Sequence, residues 1–521
     1  MDTTDWWRSA VIYQIYPRSF ADSDGDGIGD LRGIIEHLDH LNDGTPQSLG
    51  VDAVWLSPFY PSPQADFGYD ISDYTAVDPA YGTLADFAKL ADEVHQRDMR
   101  LLVDLVMNHT SDQHPWFTES RSSRSNPKRD WYIWADGRDG GPPNNWLSSF
   151  ERCGPAWTLD PGTGQYYLHS FTPEQPDLNL RNPEVRAAIR DVWRFWLEQG
   201  VDGFRIDVAH RFFKDSELRD NPEPLAAYRR HRSHPELRQF NIDLPECHDL
   251  LRELRSFLDS YGGGLLLGEV PISDDSRLVE YFGTDGMHTA FHIAFWEQPW
   301  DAAAFRSTID GMAALARPDA LCTYALATHD ISRTVSRHGL AQARVAAMMQ
   351  LTLRGLPCVY YGEEIGMADS PPEQALDVDA RDGQRVPMQW EPTGSGFTRG
   401  TPWLPLGRDI ATANVQVQDR DPESMLNLYR QLIRYRRTSA ALRFGAYESL
   451  PSAKDTYVYR RHARDEELII ALNFADRPIV LGIGEGSAVV ELSTAAGRAS
   501  GPVRMTAVPL GALEGVVLRV I

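Results

Sequence analysis

Arg205 and Asp207 stand two residues apart in Gly203-Phe204-Arg205-Ile206-Asp207-Val208-Ala209-His210, a run otherwise apolar enough for a buried strand. Strand residues two apart share a face, so the guanidinium and the carboxylate point one way and Phe204 and Ile206 the other. A buried charge is costly unless it is paired. One reading is a structural ion pair. The other is a nucleophilic carboxylate held ionised by an arginine. Further carboxylates end other apolar runs: Asp104 in Asp104-Leu105-Val106-Met107-Asn108-His109, Glu269 in Gly268-Glu269-Val270, and Asp330 in Thr328-His329-Asp330. One buried carboxylate can be structural, but several aimed at one cavity repel each other unless chemistry uses them. A carboxylate pair about 5 to 5.5 Å apart, one nucleophile and one proton donor, is what glycosidic cleavage with retention needs.

A second chemical signal is Asp22-Ser23-Asp24-Gly25-Asp26-Gly27-Ile28-Gly29-Asp30. Carboxylates at alternate positions (Asp22, Asp24, Asp26), the Ile28 carbonyl and Asp30 form an oxygen cage for Ca²⁺ or Mg²⁺. The twelfth position is Gly33, so the bidentate glutamate of an EF-hand is missing. The competing reading is an Asp-Gly turn without metal. A bound ion here would be structural, and no organic cofactor is expected.

These residues need elements to place them. Short apolar runs alternate with helical stretches, the pattern of a parallel sheet with crossover helices. The runs are Val11 to Tyr16, Val51 to Leu56, Arg100 to Val106, Val201 to Asp207, Leu265 to Val270, Gly286 to Phe291 (the poorest match), Cys322 to Ala327 and Leu356 to Tyr361. Eight units predict a (β/α)8 TIM barrel of the α/β class, whose strand ends carry the chemistry. The stretch 108–177, rich in Gly, Pro, Asn, Ser and Trp, reads as a small irregular domain inserted after the third strand. The polar stretch from Lys214 to His248 reads as a helical excursion after the fourth. Thr456 to Arg461 and Leu468 to Phe474 flank a charged turn and predict a hairpin. The expected division is a barrel over 1–107 and 178–440, an insert over 108–177, and an antiparallel C-terminal β-sandwich over 441–521.

A net charge of -23 over 521 residues argues against nucleic acid or an anionic membrane as partner. The first residues are acidic and lack the apolar core of a secretory signal, and no apolar run reaches the length of a membrane span. Cys153, Cys247, Cys322 and Cys358 are far apart and read as free buried thiols in a reducing cytoplasm.

Asp104 to His109, Gly203 to Asp207, Gly268-Glu269-Val270 and His329-Asp330 resemble, in order, the four signature regions of the α-amylase superfamily, glycoside hydrolase family 13. Gln175-Pro176-Asp177-Leu178-Asn179, Trp6 to Gly33 and Ala380 to Trp390 resemble motifs of its α-glucosidase and oligo-1,6-glucosidase branch. The resemblance implies Asp207 as nucleophile, Glu269 as general acid/base and Asp330 as the third carboxylate. It implies sugar contacts from His109, His329, Arg205, Tyr69 and Asp70. Arg381 is expected to pair with Asp70, with Arg385 its rival for that place. Phe150, Phe171 and His210 are candidates for the leaving-group side, and Asp104 for a supporting role. Val208, after the nucleophile, resembles α-1,6-cleaving members, while Ala209-His210 departs from their pattern. The implied activity is a retaining α-glucosidase on short maltose- or isomaltose-type α-glucosides, with transglucosylation, as a monomer or homodimer. Alternatives are a sucrose or trehalose isomerase or other transglycosylase, a noncatalytic sugar-binding relative, and an extracellular starch endo-amylase. The intact carboxylates disfavour the noncatalytic relative. The missing secretory signal and the Gln175 motif disfavour the endo-amylase.

Overall fold

The computed structural model describes residues 3–222 and 240–521. Eight parallel strands form the central sheet: β1 (Ile12–Ile15), β2 (Ala53–Leu56), β3 (Arg100–Leu105), β4 (Gly203–Ile206), β5 (Leu265–Gly268), β6 (Thr289–Ala290), β7 (Thr323–Ala325) and β8 (Leu356–Tyr360). Their spatial order is β7-β8-β1-β2-β3-β4-β5-β6. A parallel bridge between Phe291 and Thr323 joins the two edges. The His292 N–H donates to the Thr323 carbonyl at 3.0 Å and the hydroxyls of Thr289 and Thr323 meet at 2.9 Å. The sheet is therefore a barrel. β6 is the weakest run because only two residues pair; the chain before it is a loop in which the Met287 N–H bonds the Tyr281 carbonyl.

Strand alternation sorts the side chains. Ile12, Ala53, Trp55, Leu102, Leu265, Leu267, Phe291, Leu356 and Cys358 form one buried cluster, the barrel interior. Tyr13, Val54, Leu101, Val103, Phe204, Ile206 and Leu266 belong to another, which includes the surrounding helices. Register places Asp104 beside Arg205 and Arg205 beside Leu267. Asp104, Arg205 and Asp207 therefore share the inward phase with Leu102. Gly203 allows β4 to approach β5: a Cβ there would sit 2.3 Å from the Leu265 carbonyl oxygen.

The helix leading into β4, Pro183–Glu198, shows why the surrounding layer forms. The Asn182 side chain caps it, Pro183 fits its first turn, and Val185, Ile189, Val192, Trp193 and Trp196 are buried at helical spacing. Between β3 and that helix, Trp134–Ala135, Trp157–Asp160 and Gln165–Leu168 make a three-stranded antiparallel sheet. Of the expected excursion from Lys214 to His248, residues 223–239 lie outside the described residues, and helix Pro245–Ser260 begins within its end. From Ala446 onward a six-stranded antiparallel sheet faces a two-stranded one, with Val458, Ile469, Val508 and Leu518 between them. The expected hairpin pairs Thr456 with Asn473 and Ala463 with Glu466. Tyr457, Tyr459, Ile470 and Leu472, on the other face of that hairpin, join the barrel's outer core.

Candidate active site

A cavity of about 270 Å³ opens at the strand ends that carry the carboxylates. At its floor one guanidinium holds three of them. Arg205 Nη1 pairs with Asp104 and lies 2.8 Å from Asp207 Oδ1, while Nη2 lies 2.6 Å from Glu269 Oε2. Arg205 is 2% exposed, and only a planar fork serves three acids at this depth. Asp104 is fixed from behind by the Trp55 Nε1–H at 2.8 Å and the Tyr69 hydroxyl at 3.3 Å. Burial raises it to about 6, with Arg205 pulling against the rise. Burial likewise pushes Asp207 well above the usual carboxylate range; Arg205 opposes this, and Glu269, Asp104 and Asp330 add to it. Two carboxyl groups held by one guanidinium at this depth are coupled, so what protonates one bears on the other. The side chain of Glu269 is 18% exposed against 7% for Asp207, so Glu269 is the more open of the two to the cavity.

Backbone joins the two acids as well. Glu269 N–H donates to the Ile206 carbonyl at 2.9 Å and Ala209 N–H to the Glu269 carbonyl at 3.0 Å. Val208 N–H donates to Glu269 Oε2 at 3.2 Å. Val208 makes this contact from φ 37°, ψ 48°, a left-handed conformation that a β-branched residue rarely adopts. Strain sits next to the Asp207 carboxylate, and the surrounding hydrogen bonds hold it.

Asp330 lies across the cavity. His329 Nε2 is 3.0 Å from its Oδ2, and Arg381 Nη1 and Arg385 Nη2 are 2.8 and 3.0 Å from its Oδ1. Burial alone would raise it, but His329, Arg381 and Arg385 outweigh burial and hold Asp330 well below the usual range. Burial pushes His329 down to about 3, so near neutrality its ring is neutral and donates an N–H to Asp330. Tyr69 stacks on that ring at 5.3 Å with planes 4° apart. His109, lowered by burial to about 4, is held at Nε2 between the Tyr69 carbonyl (3.2 Å) and Gln175 Nε2 (3.0 Å).

Of the sequence-predicted residues, Asp207, Glu269, Asp330, Tyr69, His109, Arg205, His329, Arg381, Phe150, Phe171 and His210 all line the cavity. Asp70 does not. Its carboxylate is fully buried and accepts from the Ser62 hydroxyl and the Ala65 and Asp66 N–H groups, at 2.8, 2.9 and 3.0 Å. It braces the loop. Asp66, which the sequence reading missed, lines the cavity instead and takes Arg381 Nη2 at 2.6 Å. The expected Arg381–Asp70 pair is therefore corrected to Arg381–Asp66. Arg385 is fully buried behind Arg381, bonding the His329 carbonyl and Asp330, so Arg381 is the one that faces the cavity. Gln175 explains its motif: its amide donates to Asp66 at 3.0 Å and meets His109. Asp177 ties the insert down through Asn108, Ser170 and Lys214.

The N-terminal loop lies elsewhere. Carboxylate oxygens of Asp22, Asp24 and Asp30 fall within 4.8 Å of one another, and among the described residues no lysine or arginine pairs with them. Loop N–H groups and hydroxyls of Ser23 and Thr398 orient the Asp22 and Asp30 carboxylates, and three acid oxygens crowded this way fit a hard cation. Asp26 is outside that group; its Oδ1 accepts the Ile28 N–H at 2.7 Å, so it serves the turn. Gly27, at φ +96°, packs so closely that a Cβ would overlap the Thr401 carbonyl. Cys247, Cys322 and Cys358 are buried free thiols; Cys153 is half-buried, because it sits on the insert's surface turn rather than in a core.

The α-amylase catalytic-domain family matches residues 14–445. The chain is 42% identical over 510 residues to a probable α-glucosidase of Rhizobium meliloti (strain 1021), covering 91% of this chain and 90% of that protein. It is 38% identical over 525 residues to an oligo-1,6-glucosidase of Parageobacillus thermoglucosidasius, covering 91% of each. Its fold superposes on the solved structure of an α-glucosyl transfer enzyme, XgtA, with a TM-score of 0.89, 40% identity and 99% of both chains covered.

Proposed function

The chain belongs to the α-amylase family of glycoside hydrolases, and we propose that its cleft removes the terminal α-glucosyl unit from short α-glucosides with retention of configuration. The observation that carries this reading is the single Arg205 fork holding Asp207 and Glu269 together at one cavity floor. In the first step Asp207 attacks the anomeric carbon while Glu269 gives its proton to the glycosidic oxygen. The bond between them breaks and a β-glucosyl ester forms on Asp207. In the second step Glu269 takes a proton from water, whose oxygen attacks the same carbon and frees α-glucose. Asp330, with the His329 N–H behind it, is positioned for hydroxyls of the bound ring. Asp66 and Arg381 close the far end and select a chain terminus. His109, Tyr69 and Phe171 line the walls between.

Transfer to an acceptor other than water follows if an alcohol occupies the leaving-group site, and the similarity to the α-glucosyl transfer enzyme supports it. The N-terminal loop would hold Ca²⁺ or Mg²⁺ through Asp22, Asp24 and Asp30. Such an ion supplies charge compensation and ties the loop after β1 to the Thr401 region. Free thiols buried at Cys247, Cys322 and Cys358 support a reducing cytoplasm. Among the described residues no helix is long and apolar enough to cross a membrane. One product profile over maltose, isomaltose, sucrose and trehalose tests the activity. Glucose released from the non-reducing end supports it; rearrangement of sucrose without net hydrolysis points to an isomerase.

A further inference from the structure

Gln14 puts a carboxamide into the barrel wall where strand alternation calls for an apolar side chain. It follows Ile12 in the inward phase of β1 and pairs with Trp55 of β2, and both of those residues belong to the barrel interior. Gln14 is fully buried. Burying an amide is costly unless it is hydrogen-bonded. Its Nε2 lies 2.9 Å from His329 Nδ1 and 3.1 Å from Ser57 Oγ. His329 lines the cavity, and Gln14 stands behind it.

The other contacts of His329 settle the direction of that bond. Its Nε2 is 3.0 Å from Asp330 Oδ2. Asp330 is ionised, held so by His329, Arg381 and Arg385, so it can only accept and Nε2 carries a proton. Burial keeps the ring neutral, so Nδ1 is a bare lone pair. Only an N–H satisfies a lone pair, so the nitrogen of the Gln14 amide faces it rather than the oxygen. This orientation leaves Gln14 Oε1 buried without a partner. The amide is turned to suit the histidine. Other residues set the plane of the ring: Tyr69 and Tyr16 lie near-parallel to it, with centroids 5.3 and 6.1 Å away, and Trp55 meets it edge-on. What remains for Gln14 to decide is which ring nitrogen carries the proton.

We infer that Gln14 is a positioning residue for the reaction proposed above: its N–H caps Nδ1, confines the ring proton to Nε2, and so keeps a donor aimed at Asp330. With the proton on Nδ1, a lone pair on Nε2 would face an ionised carboxylate, and the Asp330 contact would be lost. The inference rests on the α-glucosidase reading, in which Asp330 holds hydroxyls of the bound ring. The charged and titratable groups facing His329 are Asp330 beside it, Arg205 from β4, Arg381 and Arg385 from the chain after β8, and the Tyr16 and Tyr69 rings. None of them reaches Nδ1, where Gln14 and its amide stand.

Two variants and one direct observation test this. Gln14→Met keeps the length of the side chain and removes the donor; kcat/KM on maltose and isomaltose is expected to fall by about tenfold or more, as when a buried acceptor loses its partner. Gln14→Glu keeps the shape but brings a carboxyl that must share one extra proton with Nδ1. While that proton is held, the Asp330 contact survives. Once it is lost, the carboxylate draws the ring proton to Nδ1. The ratio of Q14E to wild-type kcat/KM is therefore expected to be highest near about pH 5 and to fall about tenfold or more by about pH 8. A side chain needed only for packing would scale activity evenly across pH, so a constant ratio overturns the inference, as does wild-type activity in Q14M. A neutron structure of the wild-type protein decides the matter even where both variants fail to fold. Deuterium on His329 Nε2, with the Gln14 amide nitrogen facing Nδ1, is the expected result; deuterium on Nδ1 overturns it. A wild type that cleaves neither sugar would instead overturn the glucosidase reading, with the neutron map still deciding the tautomer.

Discussion

Arg381 Nη2 lies 2.6 Å from Asp66 Oδ1, and its other terminal nitrogen 2.8 Å from Asp330 Oδ1, so one arginine closes the cavity from wall to wall. Asp377 backs it at 2.7 Å. Removing the charge of Asp66 leaves Arg381 short of a partner at the sugar's far end. Truncating one member of a desolvated pair costs about 2–5 kcal/mol, about 30-fold or more in kcat/KM. Asp66→Asn is therefore expected to lose at least that much activity on maltose-type substrates with little change in Tm. Asp70→Asn is expected to do the reverse, because Asp70 bonds only its own loop. Steady-state kinetics and melting curves on both variants separate the two roles; equal activity losses would reject them.

Val208 occupies the left-handed region at φ 37° beside both acids. Its side chain faces the cavity and its N–H the Glu269 carboxyl. Val208→Thr keeps the branched shape and adds a hydroxyl. The isomaltose-to-maltose ratio of kcat/KM is expected to fall, by about tenfold or less, as for other one-group changes in a pocket. A ratio that does not move would take linkage choice away from this position.

Glu363 is buried outside the cleft, where burial raises its carboxyl to about 8; the Tyr429 hydroxyl donates to it at 2.7 Å. A folded-state value above the ordinary 4.5 means the native chain binds the extra proton. Its stabilising contribution is complete below about 4.5 and is lost as pH rises toward 8. Tm is expected to fall between about pH 5 and 8, and Glu363→Gln to flatten that fall. A parallel pH dependence in wild type and variant would rule out Glu363 as its source.

The cation proposed for the N-terminal loop lies away from the catalytic cavity, so its removal is expected to act on stability. Losing a cation that binds only the folded chain lowers Tm through mass action. EDTA is expected to lower Tm by several degrees while kcat at 25 °C stays within about twofold. The Asp22→Asn variant is expected to show a smaller chelator response. No shift in Tm would remove the metal from the account.

The barrel and the catalytic strands were readable because period-two alternation survives in short apolar runs, and charged residues in the inward phase of such runs stand out. Asp207, Glu269 and Asp330 each break a buried pattern. β6 was hard to read because two paired residues carry no periodicity. Asp66 was hidden for a different reason. Asp66 and Asp70 flank the same tight turn, and local sequence does not say which caps the turn and which faces the cavity. Only the position of Arg381, 315 residues away, decides it. Arg381 and Arg385, four residues apart, posed the same ambiguity until His329 was seen to occupy Arg385.

The central claim is that Asp207 forms a covalent bond to glucose. Incubation with 5-fluoro-α-glucosyl fluoride, whose ring fluorine slows release of the ester, followed by peptide mass mapping, tests it directly. One glucosyl adduct on the peptide that carries Asp207, absent in Asp207→Asn, is the predicted result. A label on another carboxylate, or turnover of natural substrate yielding β-glucose first with no adduct, would contradict the account.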